Sequence, residues 1–226
     1  MSKEFYYNDL YPFQDLILKY FDELGTEFYL TGGTAVNRIF TFHRYSDDLD
    51  FFVNQSPNFS SECKKIIDYL STKEDLDIIV ALNDEFFVRI MVQKQGVSLK
   101  VEFINDVGYH RGEFLTSSIY SKTDNPLNIL SNKLTALSRT APKDISDIVF
   151  LSRNYAFNWI DIVNDAKRKD AWVNEIYMAQ YMDKITISHL EEVNWIETPS
   201  FSDIMRDIQI IKKDLLLGTK NSLFLP

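Results

Sequence analysis

Two aspartates stand at alternate positions of an apolar run, Asp48-Leu49-Asp50-Phe51-Phe52-Val53. Side chains at i and i+2 of a strand share a face, so both carboxylates are expected to point together. Neighbouring carboxylates repel, and a cation between them makes the pairing favourable. The plainer reading is a strand end carrying two solvated acids. Asp47 faces the other way and reads as a turn or capping residue. Upstream, Leu30-Thr31-Gly32-Gly33-Thr34-Ala35 closes a short apolar run with a glycine pair. Glycines let a backbone approach a ligand and adopt positive φ. With a helix starting just after, its free N–H groups and dipole make an anion site. The same residues also suit a simple turn from strand into helix. A phosphate-sized loop beside a divalent-metal pair is the outline of a nucleotidyl-transfer site.

Glu102 interrupts an alternating apolar run, Val97-Ser98-Leu99-Lys100-Val101-Glu102-Phe103-Ile104. If this run lies beside the Asp48–Asp50 strand, three carboxylates converge. Such a trio can hold two Mg²⁺ ions about 3.5–4 Å apart, clamping both oxygens of an in-line displacement. Otherwise Glu102 is an acid on the solvent face of a strand. Further on, Lys133 borders a helical apolar stripe, where a long cation can reach a triphosphate and stabilise its developing charge. Asp144 and Asp147, three apart, share a helix face. One of them could orient Lys133 or take a proton from an acceptor hydroxyl. Asp144 also suits a capping acid in the first turn after Pro142. Arg44, Arg139 and Lys143 read equally as phosphate ligands or solvated charges. His43 reads as a structural, hydrogen-bonding histidine.

The elements that must position these residues fall into two groups. Leu10, Phe13, Leu16, Ile17, Tyr20, Phe21 and Leu24 recur every three or four residues, predicting an amphipathic helix over 9–24 capped by Gly25. Short strands are expected at 28–30 and 48–53, with helices at 35–40 and 60–70. Three more strands are expected at 76–82, 85–92 and 97–104, with Asn83-Asp84 and Gln95-Gly96 as turns. At Asn125-Pro126 the pattern becomes helical, with Leu127, Leu130, Leu134 and Leu137 on one face. Pro142 opens the next helix, and helical patterns continue to about residue 217. The expected class is α+β: a mixed sheet with flanking helices over 1–122, then an all-helical domain over 123–226.

The chain has 226 residues, 45% of them hydrophobic, enough for a real core. A net charge of −9 opposes general binding to nucleic acid, which relies on summed Lys/Arg contacts to phosphate. No apolar run approaches the roughly 18 residues of a membrane span. The N-terminus lacks a signal pattern, and the single cysteine, Cys63, forms no internal disulfide. A cytoplasmic protein without a membrane partner is expected. Trp159, Trp172 and Trp195 are expected to pack the helical core. Lys167-Arg168-Lys169 reads as a solvated helix end, or as a basic patch for a nucleic-acid acceptor.

The segment Leu30–Ala35, with His43-Arg44, Ser46 and Asp48-Leu49-Asp50-Phe51-Phe52, resembles the polymerase-beta type of nucleotidyltransferase. A second signature, Lys133, Arg139 and Lys143-Asp144-Ile145-Ser146-Asp147, is similar to that of the AbiEii/AbiGii toxin branch, found in type IV toxin–antitoxin and phage-defence systems. Fourteen residues separate Gly33 from Asp48, more than is usual in the superfamily, so the connecting loop is expected to differ. The resemblance implies a nucleotidyltransferase fold and an enzyme moving an NMP from an NTP to an acceptor hydroxyl, with release of pyrophosphate. It implies Mg²⁺ (or Mn²⁺) on Asp48 and Asp50, helped by Glu102. Gly32, Gly33, Thr34, Ser46, Arg44 and Lys133 would bind the nucleotide, and Asp144, favoured over Asp147, would assist the acceptor. A tRNA acceptor and a cognate antitoxin are implied as partners.

Three rivals remain. A glycosyltransferase also uses an Asp-x-Asp pair to hold a nucleotide-sugar. A nucleotidyltransferase acting on a small molecule or a protein fits the acidic charge balance. The third is a catalytically inactive binding module on the same scaffold.

Overall fold

A computed structural model describes residues 1–225. Two compact units are formed, one of residues 1–35 with 46–124, the other of 36–45 with the chain from 125 onward. The expected boundary at 122/123 lies two residues before the division at 124/125, and 36–45 packs with the helical residues. The cause is polar. Asn37 Nδ2 donates to Asp147 Oδ1 at 3.1 Å, and the Tyr45 N–H donates to the Asn194 carbonyl at 2.8 Å.

The first unit is a five-stranded sheet of β1 (Tyr29–Thr31), β2 (Leu49–Asn54), β3 (Asp77–Asn83), β4 (Phe87–Lys94) and β5 (Val97–Asp106). Their order is β1-β2-β5-β4-β3, with β2 and β5 parallel and the other pairs antiparallel. Alternation along β2, β4 and β5 buries Leu49, Phe51, Val53, Val88, Ile90, Val92, Leu99, Val101 and Phe103 on one face. Helix Tyr11–Leu24 covers that face, with the Phe21 ring 4.9 Å from Phe51 and tilted against it. Gly25 ends this helix in the left-handed region at φ 60°, as its spacing predicts. Helix Phe59–Leu70 adds Phe59, Cys63, Ile66 and Leu70 to the core. Gln95 and Gly96 turn the β4–β5 hairpin with φ of 50° and 83°, matching the twist of the strands.

The opposite sheet face carries the polar residues in register. Thr31 lies opposite Asp50, Asp50 opposite Glu102, and Glu102 opposite Arg89. The expected neighbourhood of the Asp48–Asp50 and Glu102 strands is therefore present. β2 begins at Leu49, so Asp48 stands one residue before it.

The second unit is helical. Asn125 caps helix Pro126–Thr135 through its side chain, which accepts from the Asn128 N–H at 2.9 Å. Leu130, Leu134 and Leu137 are buried as the stripe predicts. Helices Pro142–Asn154, Trp159–Lys169, Glu175–Asp183, Ile187–Glu191 and Phe201–Leu217 follow. The expected helix at 35–40 is a wider, π-type turn over Val36–Phe40, preceded by the short helix Gly32–Ala35.

Two expectations about side chains are corrected here. Trp159 is fully buried, but Trp172 is 87% exposed in the connection before Glu175–Asp183 rather than in the core. Lys169 is no solvated helix end. Its ammonium donates to Asn128 Oδ1, Ser131 Oγ and Asn132 Oδ1 at 2.6, 2.7 and 2.5 Å, tying two helices together.

Candidate active site

In the sheet unit, the glycine pair stands against the acidic pair for a steric reason. Gly32 has φ +64°, and a Cβ built on it would overlap the Asp50 carboxylate. A residue without a side chain is therefore required for Asp50 to lie where it does. Gly33 follows, half-buried, in the turn Gly32–Ala35. Thr34 is buried; its hydroxyl contacts Ser46 Oγ at 3.0 Å and the Asp48 carbonyl oxygen. Gln14 Nε2 donates to the Ser46 and Asp47 carbonyls at 3.1 and 3.2 Å, so the backbone leading into the acidic pair is held from two sides. Asp47 accepts from the Tyr6 hydroxyl, the structural role its orientation suggests.

Two cations share this face. Lys100 Nζ lies 2.9 Å from Asp48 Oδ2 and 3.2 Å from Glu102 Oε1. Arg89 brings Nε and Nη2 to the same Glu102 oxygen at 2.7 and 2.6 Å. Burial raises the Glu102 carboxyl, but Lys100 and Arg89 outweigh it and leave the pKa below the ordinary glutamate value. Burial likewise pulls the Lys100 ammonium down, and Asp48 and Glu102 more than offset it. Neither Lys100 nor Arg89 emerges from the motif reading. The signal was present in Lys100-Val101-Glu102, whose outer members share a strand face.

Among the described residues no group of three or more His, Cys, Asp or Glu forms a metal cage. The donors at hand are the oxygens of Asp48 and Asp50. These suit a hard ion such as Mg²⁺, which is commonly bound through one or two carboxylates with waters and substrate phosphates completing the shell. The Lys100 ammonium against Asp48 marks the same point as favourable to positive charge. The residues present fit such an ion.

In the helical unit, Asp147 organises a buried cluster. Its side chain has no solvent exposure. Arg44 grips it bidentately, Nε at 2.8 Å and Nη2 at 2.7 Å, and Lys133 Nζ adds a contact of 2.7 Å. Burial would raise the Asp147 carboxyl, but Arg44 and Lys133 hold it well below the ordinary carboxylate range. Lys133 is itself buried, and a second contact of 2.7 Å joins it to Asp144. Burial lowers the Lys133 ammonium, yet Asp147 and Asp144 leave its pKa raised. Asp144 also takes Arg139 Nη2 at 3.0 Å, and that arginine is 67% exposed.

Motif reading singled out Lys133, Asp144 and Arg44, and the structure joins all three around Asp147, which it had ranked second. Arg44, expected as a nucleotide ligand, is buried, with Nη1 donating to the Tyr45 carbonyl at 3.0 Å and the rest of its guanidinium on Asp147. It braces rather than reaches. His43 stacks on Phe150 at 4.0 Å, with Nε2 3.3 Å from Asp147 Oδ1 but not aligned for a hydrogen bond. Burial chiefly lowers its pKa, in keeping with a structural, neutral imidazole.

Comparison with known proteins gives the fold and the family. The chain is similar to JHP933 from Helicobacter pylori, with 19% identity, 96% of this chain and 95% of that chain covered, and a TM-score of 0.63. It is similar to MenT4, a nucleotidyltransferase toxin from Mycobacterium tuberculosis H37Rv, with 13% identity, coverage of 91% and 83%, and a TM-score of 0.63. At these identities the likeness establishes the fold. No curated protein matches. The profile of the family described as nucleotidyl transferase AbiEii toxin, type IV TA system, matches residues 16–220, and this chain, a nucleotidyltransferase, belongs to that family.

Proposed function

We propose that this enzyme moves an NMP from an NTP to a hydroxyl of tRNA in a reaction that requires Mg²⁺ or Mn²⁺, and that a cognate antitoxin restrains it. The observation that carries the reading is the packing of the Gly32 backbone against the Asp50 carboxylate, beside Asp48. A glycine turn and an acidic pair in one place suit a nucleoside triphosphate with its cation. Asp48 and Asp50 would hold the ion, which supplies charge neutralisation at the phosphates when bound.

In this reading Gly32 and Gly33 present backbone N–H groups to the β- and γ-phosphates. Thr34 and Ser46 fix the loop rather than offering their hydroxyls. Lys133 neutralises the triphosphate, and Arg44 aligns Lys133 through their shared carboxylate, Asp147. Asp144 takes the proton of the acceptor hydroxyl. That oxygen forms a bond to the α-phosphorus as the bond to the β-phosphate oxygen breaks, and pyrophosphate leaves.

The test is label transfer from each α-³²P-NTP into total tRNA with Mg²⁺, against Asp48→Ala/Asp50→Ala. Labelled tRNA from the wild type, reduced at least ~10²-fold in the double variant, is expected. Label on a protein or small molecule instead would move the acceptor and keep the chemistry. No label on any acceptor, with EDTA and the double variant without effect on NTP binding, would overturn the reading.

A further inference from the structure

We propose that Lys100 is a built-in counter-cation that competes with the metal ion for Asp48, and that Glu102 is the anchor of Lys100 and Arg89 rather than a metal ligand. The proposal rests on the metal reading above and assigns roles to three residues of this chain within it. The geometry is specific. One oxygen of Glu102 receives Arg89 Nε at 2.7 Å, Arg89 Nη2 at 2.6 Å and Lys100 Nζ at 3.2 Å. Three cationic donors converge on this one oxygen, and a divalent ion would have to displace two side chains to reach it.

Register makes this a designed feature of the sheet. Arg89 lies directly across the β4–β5 pair from Glu102, and Lys100 precedes it by two residues on the same face. A cross-strand pair of opposite charge is favourable at that separation. Anchored so, Lys100 extends to Asp48 Oδ2 at 2.9 Å. Its ammonium therefore stands on an Asp48 oxygen that would hold the ion, and its positive charge would oppose the ion's approach.

Lys100 is 30% exposed on its side chain, so it can leave Asp48 while the stem stays on the strand. An anionic triphosphate offers the ammonium another partner. The metal is then bound weakly by the free enzyme and more strongly in the company of nucleotide, which limits idle metal loading. Lys100 is in this account a positioning residue.

The probe is Mn²⁺ alone, titrated without nucleotide and followed by loss of the free-ion EPR signal, with circular dichroism as the control for folding. Lys100→Met, which keeps the alkyl stem, and Lys100→Gln are both expected to bind Mn²⁺ about two- to fivefold more tightly than wild type, the strength of a partly exposed ion pair. In the Lys100→Met background, Glu102→Gln is expected to change affinity by less than about threefold, whereas loss of a true ligand costs about tenfold or more. Equal or weaker binding by both Lys100 variants would overturn the proposal alone, as would a tenfold loss on Glu102→Gln in that background. Mn²⁺ binding by none of these proteins would overturn it together with the metal reading.

Discussion

At the residue scale, the two acids of the Lys143–Asp147 signature are both buried and differ in their partners. Asp147 is enclosed and carries the Arg44 and Lys133 charges; Asp144 shares Lys133 with an exposed arginine. Replacing Asp147 by Asn removes the carboxylate that the buried Arg44 grips and one of the two that Lys133 contacts, and breaking such a buried pair costs about 3–5 kcal/mol. A fall of that size in urea-denaturation stability is expected for Asp147→Asn. Asp144→Asn removes one charged hydrogen bond of Lys133 while Asp147 still holds it, a cost of about 1–2 kcal/mol. Its expected signature is the reverse, a larger loss of transfer rate than of stability. Measuring both quantities for both variants separates bracing from chemistry, and equal behaviour of the two would contradict the division.

At the element scale, two glycines with nearly the same backbone conformation should respond differently to alanine. Gly25 ends helix Tyr11–Leu24 at φ +60° with open space around it. Gly25→Ala is expected to cost about 1–2 kcal/mol, the penalty of the left-handed region for an L-residue, and to leave transfer unchanged. Gly32 has φ +64° and the Asp50 carboxylate where a Cβ would go. Gly32→Ala carries the same backbone penalty and must also push Asp50 aside. Transfer is expected to fall at least ~10²-fold, with the acidic pair displaced. Thermal melts and labelling assays on the two variants check this contrast. At the start of helix Pro126–Thr135, Asn125→Ala removes a cap and should lower stability by about 1 kcal/mol.

At the scale of the whole molecule, the buried cluster sets a pH dependence. The folded-state pKa of Asp147 is depressed, so its stabilisation is present above the unfolded value of about 3.9 and is lost as pH falls through the folded value. Lys133 is shifted upward, so its contribution is complete below about pH 10.4 and is lost only as pH rises through the folded value. The cluster therefore contributes evenly across neutral pH and fails in acid, below about pH 4. Denaturation midpoints measured against pH should drop there for the wild type, and Asp147→Asn should start lower and drop less. No helix among the described residues is long and apolar enough to cross a membrane.

Much of this protein follows from the chain by itself. Periodicity alone places helix Tyr11–Leu24 and its Gly25 cap, because apolar spacing and a left-handed terminus are local properties. Alternation places β4 and β5, and the glycine and aspartate spacings mark the residues of the proposed site. Local rules could not reach Arg89 and Lys100 on Glu102, since the pairing depends on which strands become neighbours. They also could not assign partners to Asp144 and Asp147. Both acids share a helix face, and which cations meet each depends on what the fold brings against it. Trp172 and Lys169 misled for the same reason: a tryptophan is expected inside and a lysine outside, yet tertiary packing left the ring in solvent and surrounded the ammonium with oxygens. The sequence determined the elements and the chemical groups; the tertiary structure decided their partners, because charge pairing depends on distance in space and not along the chain.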